Sequence, residues 1–180
     1  MKELFIKYRL VIKFIGTFLA VYVAFTLLYK FYLQFSDGSK FYPDYITHLV
    51  TKQSEAMLDT LGYNAQVLPH PNEPSMKLLV NGTYLARIIE GCNSISVIIL
   101  FVSFIVAFSA QFKTTFFYVL AGSVLIYTVN LVRIVLLSIG LYEYPNQKEI
   151  LHTAVFPAII YGMVFVLWIV WVNRFSKLKR

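Results

Sequence analysis

Four apolar runs constrain this chain more than any other feature. Residues 10–33, 95–112, 115–141 and 153–172 hold few charges, over lengths close to the ~20 residues that a bilayer-crossing helix needs at about 1.5 Å of rise per residue. Only 14% of the 180 residues are charged and 58% are hydrophobic, which excludes an ordinary soluble domain. The expected architecture is an all-α integral membrane protein. About four transmembrane helices form a bundle, a small extracytoplasmic α+β segment (34–91) separates the first span from the second, and residues 1–180 make a single membrane domain.

The basic residues orient this bundle. Lys2, Lys7, Arg9, Lys13, Lys113, Arg174, Lys177, Lys179 and Arg180, nine of the 16 Lys and Arg, fall on the side that holds both termini and the link between the second and third spans. By the positive-inside rule that side is cytoplasmic, and residues 34–91 and the loop around Tyr142–Leu151 are expected to face outward. The net charge of +7 does not form a stripe with interleaved aromatics, so a nucleic-acid partner is not expected. The basic start of the chain also suits a secretory signal. The apolar run is longer than such a signal needs and no small-residue cleavage site ends it, so an uncleaved anchor is the expectation.

Within 34–91, residues from Pro43 to Gly62 carry Ile46, Leu49, Val50, Met57, Leu58 and Leu61 at helical spacing. This predicts one amphipathic helix, able to lie on the membrane face. Pro69, Pro71 and Pro74 then break any helix. Residues 77–80 and 83–87 flank Asn81-Gly82, which predicts a two-residue hairpin. Asn81-Gly82-Thr83 also fits a glycosylation sequon, a weaker signal than the turn.

The hairpin leads to Cys92, the one cysteine, at the mouth of the second span. A lone cysteine is by default a small hydrophobe and cannot form an internal disulfide. A position at a helix start, where free N–H groups and the dipole favour an anion, suits a reactive thiolate instead. Two other residues can reach the level of Cys92, Arg133 by extending its long side chain outward. His152 opens the fourth span from outside, and Arg133 lies eight residues, about 12 Å, inward from Leu141 at the outer end of the third. An arginine inside a span costs roughly 2.5 kcal/mol or more unless it is paired or wetted, so it marks a site or snorkels to lipid phosphate. Asn130 at i−3 and Tyr127 extend a polar stripe on its helix face, which favours a bundle interior. His48 and His70 lack such company and read as solvated or structural.

This constellation suits acyl transfer or peptide cleavage through a thioester. Cys92 is the candidate nucleophile, His152 the proton carrier and Arg133 the oxyanion or carbonyl holder. Asn130, Glu90 and Asn93 are candidates for binding, although a carboxylate beside a helix start can also be a simple cap. Neither a metal site nor an organic cofactor is expected. A non-enzymatic membrane subunit with an inert thiol, and an acyltransferase with a lipid donor, remain open on the residues alone.

The same residues carry a resemblance. Glu90-Gly-Cys-Asn-Ser-Ile-Ser96 opening a span, Asn130-Leu-Val-Arg133-Ile in the next, and His152-Thr-Ala-Val-Phe-Pro157 with Gly162 in the last resemble the exosortase/archaeosortase family of membrane-embedded cysteine transpeptidases, in particular its short F-type exosortase branch. A glycine usually follows the cysteine closely in that family, and Asn93-Ser94 stands there in this chain. The chain also lacks the extra spans of longer members. The resemblance implies that Cys92, Arg133 and His152 are the catalytic set. It implies a substrate that is an exported protein ending in a short motif, a hydrophobic helix and a basic tail, cleaved outside a bacterial cytoplasmic membrane and passed to an acceptor.

Overall fold

The computed structural model describes residues 8–36, 41–108, 111–147, 150, 153 and 155–175. The chain is mostly helical. Helix α1 spans Arg9–Ser36, α2 Tyr45–Thr60, α3 Ile95–Ala107, α4 Phe112–Glu143 and α5 Phe156–Arg174, and a three-stranded sheet lies between α2 and α3. Helices α1 and α4 and the stretch Pro157–Arg174 of α5 are long and apolar enough to cross a membrane.

The expected second span, 95–112, is shorter in the structure. Helix α3 has 13 residues, about 20 Å, against a hydrocarbon core of ~30 Å. Helix α4 compensates in the other direction. Its 32 residues reach about 48 Å, so one end must project beyond the hydrocarbon and pack against protein. That end carries Ile134, Val135, Ile139 and Tyr142 into the core formed by α2 and the sheet.

Helix α2 starts where Asp44, in extended conformation, accepts the N–H groups of Ile46 and Thr47 on Oδ1, which satisfies two of the free donors of the first turn. It ends at Gly62, whose φ of 89° closes the last turn, with Gly62 N–H bonded to Asp59 and Tyr63 N–H to Leu58. Val50 and Leu58 are fully buried against the sheet. The amphipathic face is thus covered by protein, which replaces the expected membrane-surface placement. A helical apolar stripe records that something covers it but not what.

The sheet is an antiparallel meander of β1 (Ala65–Pro69), β2 (Met76–Val80) and β3 (Thr83–Ile88). Asn81 and Gly82 both have positive φ, as a type I′ turn requires. Met76, Leu78 and Val80 point to the core, with the intervening residues only half-buried. The first strand was not expected, because Pro69 and the prolines after it read only as helix breakers. Pro69 is the last residue of an edge strand, a position where its missing N–H breaks no inner ladder.

A second core lies at the other end of the bundle. Phe101, Ile105, Ile126, Val164 and Trp171 are buried there, from α3, α4 and α5. Phe104 stacks on Trp168 at 4.4 Å between ring centroids, and Phe14 of α1 packs edge-on to Phe104. Gly122 lets α4 approach α3, since a Cβ at that position would overlap the Phe101 ring.

Candidate active site

Strand β3 hands the chain to Ile89, still extended, and a single 3₁₀ turn over Glu90–Cys92 follows. Cys92 N–H donates to the Ile89 carbonyl at 2.8 Å and Asn93 N–H to that of Glu90 at 3.2 Å. Helix α3 begins only at Ile95, so Cys92 lies three residues ahead of it rather than in its first turn.

Asn93 explains the offset. Its side chain is fully buried, and its Oδ1 accepts Ile95 N–H at 3.0 Å, engaging a donor at the helix start. Its amide nitrogen donates to the Tyr29 hydroxyl on α1 at 2.8 Å and to Thr47 Oγ1 on α2 at 3.0 Å. Both amide protons and one oxygen lone pair are therefore engaged within the protein, which leaves little capacity for a ligand. Ser94 next to it has φ 66°, in the left-handed region where glycine is the easy residue. The Asn-Ser pair thus achieves with side-chain hydrogen bonds the turn that a glycine would make by conformational freedom.

Asn130 brings α4 to the cysteine. This residue is 2% exposed, and its Nδ2 donates to the carbonyl of Cys92 at 2.7 Å. Its Oδ1 faces Arg133 Nη1 at 3.4 Å, a long contact. Arg133 Nε is buried without a hydrogen-bond partner. Among the described residues, the guanidinium therefore has one weak contact for five N–H donors and no carboxylate beside it. Arg133 as a whole is half-buried, and a buried Nε left without an acceptor is costly unless one arrives.

Tyr127, one turn below Asn130, donates to Gln53 Oε1 on α2 at 2.5 Å. The stripe of Tyr127, Asn130 and Arg133 thus faces α2 and the cysteine turn, inside the protein. Cys92 is half-buried at the edge of the core formed by α2, the sheet and α4, a position compatible with access. Glu90 is exposed. Among the described residues its carboxylate has no hydrogen bond or ion pair, and it lines a cavity of about 490 Å³ together with Lys30 and Asp44. Ser96 is also exposed. His152 lies outside the described residues. His48 Nδ1 contacts the Tyr42 carbonyl at 3.1 Å, and His70 Nδ1 accepts Asn72 N–H at 3.3 Å, so both make local contacts within residues 41–91. Among the described residues no group of three His, Cys, Asp or Glu side chains could hold a metal ion.

Sequence reasoning missed Tyr29, Thr47 and Gln53, which tie the cysteine turn and α4 to α1 and α2. Each is an ordinary polar residue on an apolar or amphipathic helix, and the one available signal was polarity at a helix position that turns out to be buried.

No curated protein and no solved structure gives a significant match to this sequence. The protein-family description "transmembrane exosortase" matches residues 6–173, nearly the whole chain and every element described above. The chain belongs to the transmembrane exosortase family.

Proposed function

We propose that this protein is a membrane-embedded cysteine transpeptidase or peptidase. It cleaves the C-terminal sorting signal of an exported protein through a thioester on Cys92. The observation that carries the reading is the Asn130 bridge. One buried amide holds the Cys92 backbone and contacts an arginine whose buried Nε has no partner among the described residues, which suits a nucleophile beside an oxyanion site.

In the first step the Cys92 thiol proton passes to His152 and the sulfur attacks the scissile carbonyl. The carbonyl oxygen becomes an oxyanion, received by the Arg133 fork with two near-parallel donors. The tetrahedral species collapses, His152 returns the proton to the leaving amine, and the amine departs with the hydrophobic helix and basic tail. An acceptor amine or water then attacks the thioester, giving an amide or an acid and restoring the thiol. Every group used belongs to the chain, and no cofactor enters. Asn130 and Asn93 act as positioning residues: Asn130 fixes the Cys92 carbonyl, and Asn93 fixes the turn that presents the thiol.

In this reading, supported by the basic residues beside the spans, both termini lie in the cytoplasm of a bacterium and Cys92 lies on the outer side of the inner membrane, where exported proteins arrive. The partners are then the exported substrate and the bilayer.

The test is co-expression with an exported protein that ends in a motif, a hydrophobic helix and a basic tail. Wild type is expected to shorten it and Cys92→Ala to leave it full length. Shortening by Cys92→Ala, or a substrate left intact by both, overturns the reading.

A further inference from the structure

The sheet ends on a strand with a free side. Among the described residues strand β3 pairs with β2 on one side only; the Arg87 side chain bonds Glu73, and no backbone hydrogen bond from the strand leads to another element. An unpaired strand edge is a template for another extended segment. A cavity of about 550 Å³ lies beside the start of this strand, lined by Thr83, Tyr84 and Leu85 and by Leu141, Tyr142 and Glu143 at the outer end of α4. The strand bulges at Leu85, where Leu78 pairs with Ala86 and Leu79 with Tyr84, and the cavity opens at this bulge between the strand and the end of α4.

The two ends of α4 landmarks set a scale. Asn130 and Arg133 are level with Cys92, and Tyr142 is nine to twelve residues further out, about 14 to 18 Å. An extended peptide covers that distance in about four to six residues at ~3.3 Å each. Direction is fixed too. Strand β3 runs from the hairpin tip toward Cys92, and a substrate whose C-terminal helix enters the bilayer beside Cys92 runs the same way.

We propose that the substrate segment before the scissile bond adds to the free edge of β3 as a parallel strand. A side chain four to six residues upstream of the cut then enters the cavity between Tyr84 and Tyr142. Two tyrosine rings, two leucines and a carboxylate at the rim make this a receptor for an apolar or aromatic side chain. The backbone edge supplies affinity without regard to sequence, and the cavity supplies selection at one position. This rests on the sorting-signal reading above.

The probe is an exported reporter ending in eight randomised residues, a polyleucine span and a basic tail, expressed with the full-length protein. Released reporter is sequenced and its cut site located by mass spectrometry. Wild type is expected to enrich apolar or aromatic residues at least tenfold at one position four to six residues before the cut. Thr83→Trp fills the cavity from an exposed position and should abolish that enrichment. Tyr84→Ala widens it and should shift the preference to larger side chains, with membrane abundance unchanged in both. Cys92-dependent release with no upstream preference, or with a preference that both variants leave intact, overturns the inference alone. No Cys92-dependent release from any cassette overturns the functional reading, and the inference falls with it.

Discussion

The two cores of this protein are built differently. The one that the proposed topology puts inward, around Phe101, Ile126 and Trp171, is an aromatic-aliphatic packing in which buried Ser103 returns its hydroxyl to its own helix at Ile99. The outer one buries Asp44, Thr47, Thr51, Ser54, Asn93 and Asn130 beside Val50, Leu58 and Leu78. Buried polar groups cost free energy unless their partners are all in place, so a chain that concentrates them in one half has a use for fixed geometry there. That half contains Cys92 and Arg133. The inner half holds helices together; the outer half holds a turn and a guanidinium in register.

This contrast predicts effects that differ in kind. The largest falls on catalysis in the outer half: Arg133→Lys keeps the charge but loses the two-donor fork, and removal of one such transition-state contact costs roughly 3 kcal/mol, about a hundredfold in rate. Substrate shortening should slow by that factor while the protein accumulates normally. A normal rate would return Arg133 to a structural or snorkelling role.

Next comes Asn93→Ala, which leaves the Tyr29 hydroxyl, Thr47 Oγ1 and Ile95 N–H without their partner. The expected loss is about 2 to 3 kcal/mol of stability, with activity falling as well because the turn loosens. Thermal unfolding in detergent, read beside the cleavage rate, checks both.

Gly122→Ala tests the inner half. Its Cβ meets the Phe101 ring, so about 1 to 3 kcal/mol should be lost to overpacking. Folded protein should cleave at the wild-type rate. A catalytic defect as large as that of Asn93→Ala, at equal folded amount, would erase the distinction between the two cores. The smallest effect is a gain: Ser94→Gly relieves a left-handed φ of 66° and should raise stability by up to about 1 kcal/mol, provided the Ser94 hydroxyl bond to the Asn93 carbonyl contributes less than the strain.

Much of this was readable in the chain, for physical reasons that differ by element. Helices α1, α4 and α5 follow from long runs that are mostly apolar, and the β2–β3 hairpin from Asn81-Gly82, where only a few residue types accept positive φ at two consecutive positions. Strand β1 was not readable, because its signal comes from pairing with β2, and Gln66 and Pro69 obscure the local pattern. The short length of α3 was hidden because the apolar composition runs on through Phe108 after the helix itself ends at Ala107. At the site, the i−3 spacing of Asn130 and Arg133 was legible as a shared helix face. The bond from Asn130 to the Cys92 carbonyl joins residues 38 positions apart, and no local pattern encodes it.

The central claim is that Cys92 carries the substrate as a thioester, and the most direct measurement is to look for it. Protein recovered from cells expressing an exported protein with the tripartite C-terminus should carry the substrate fragment on Cys92, released by neutral hydroxylamine and absent from Cys92→Ser. An adduct on another residue, or shortening of the substrate that persists in Cys92→Ser, would contradict the account.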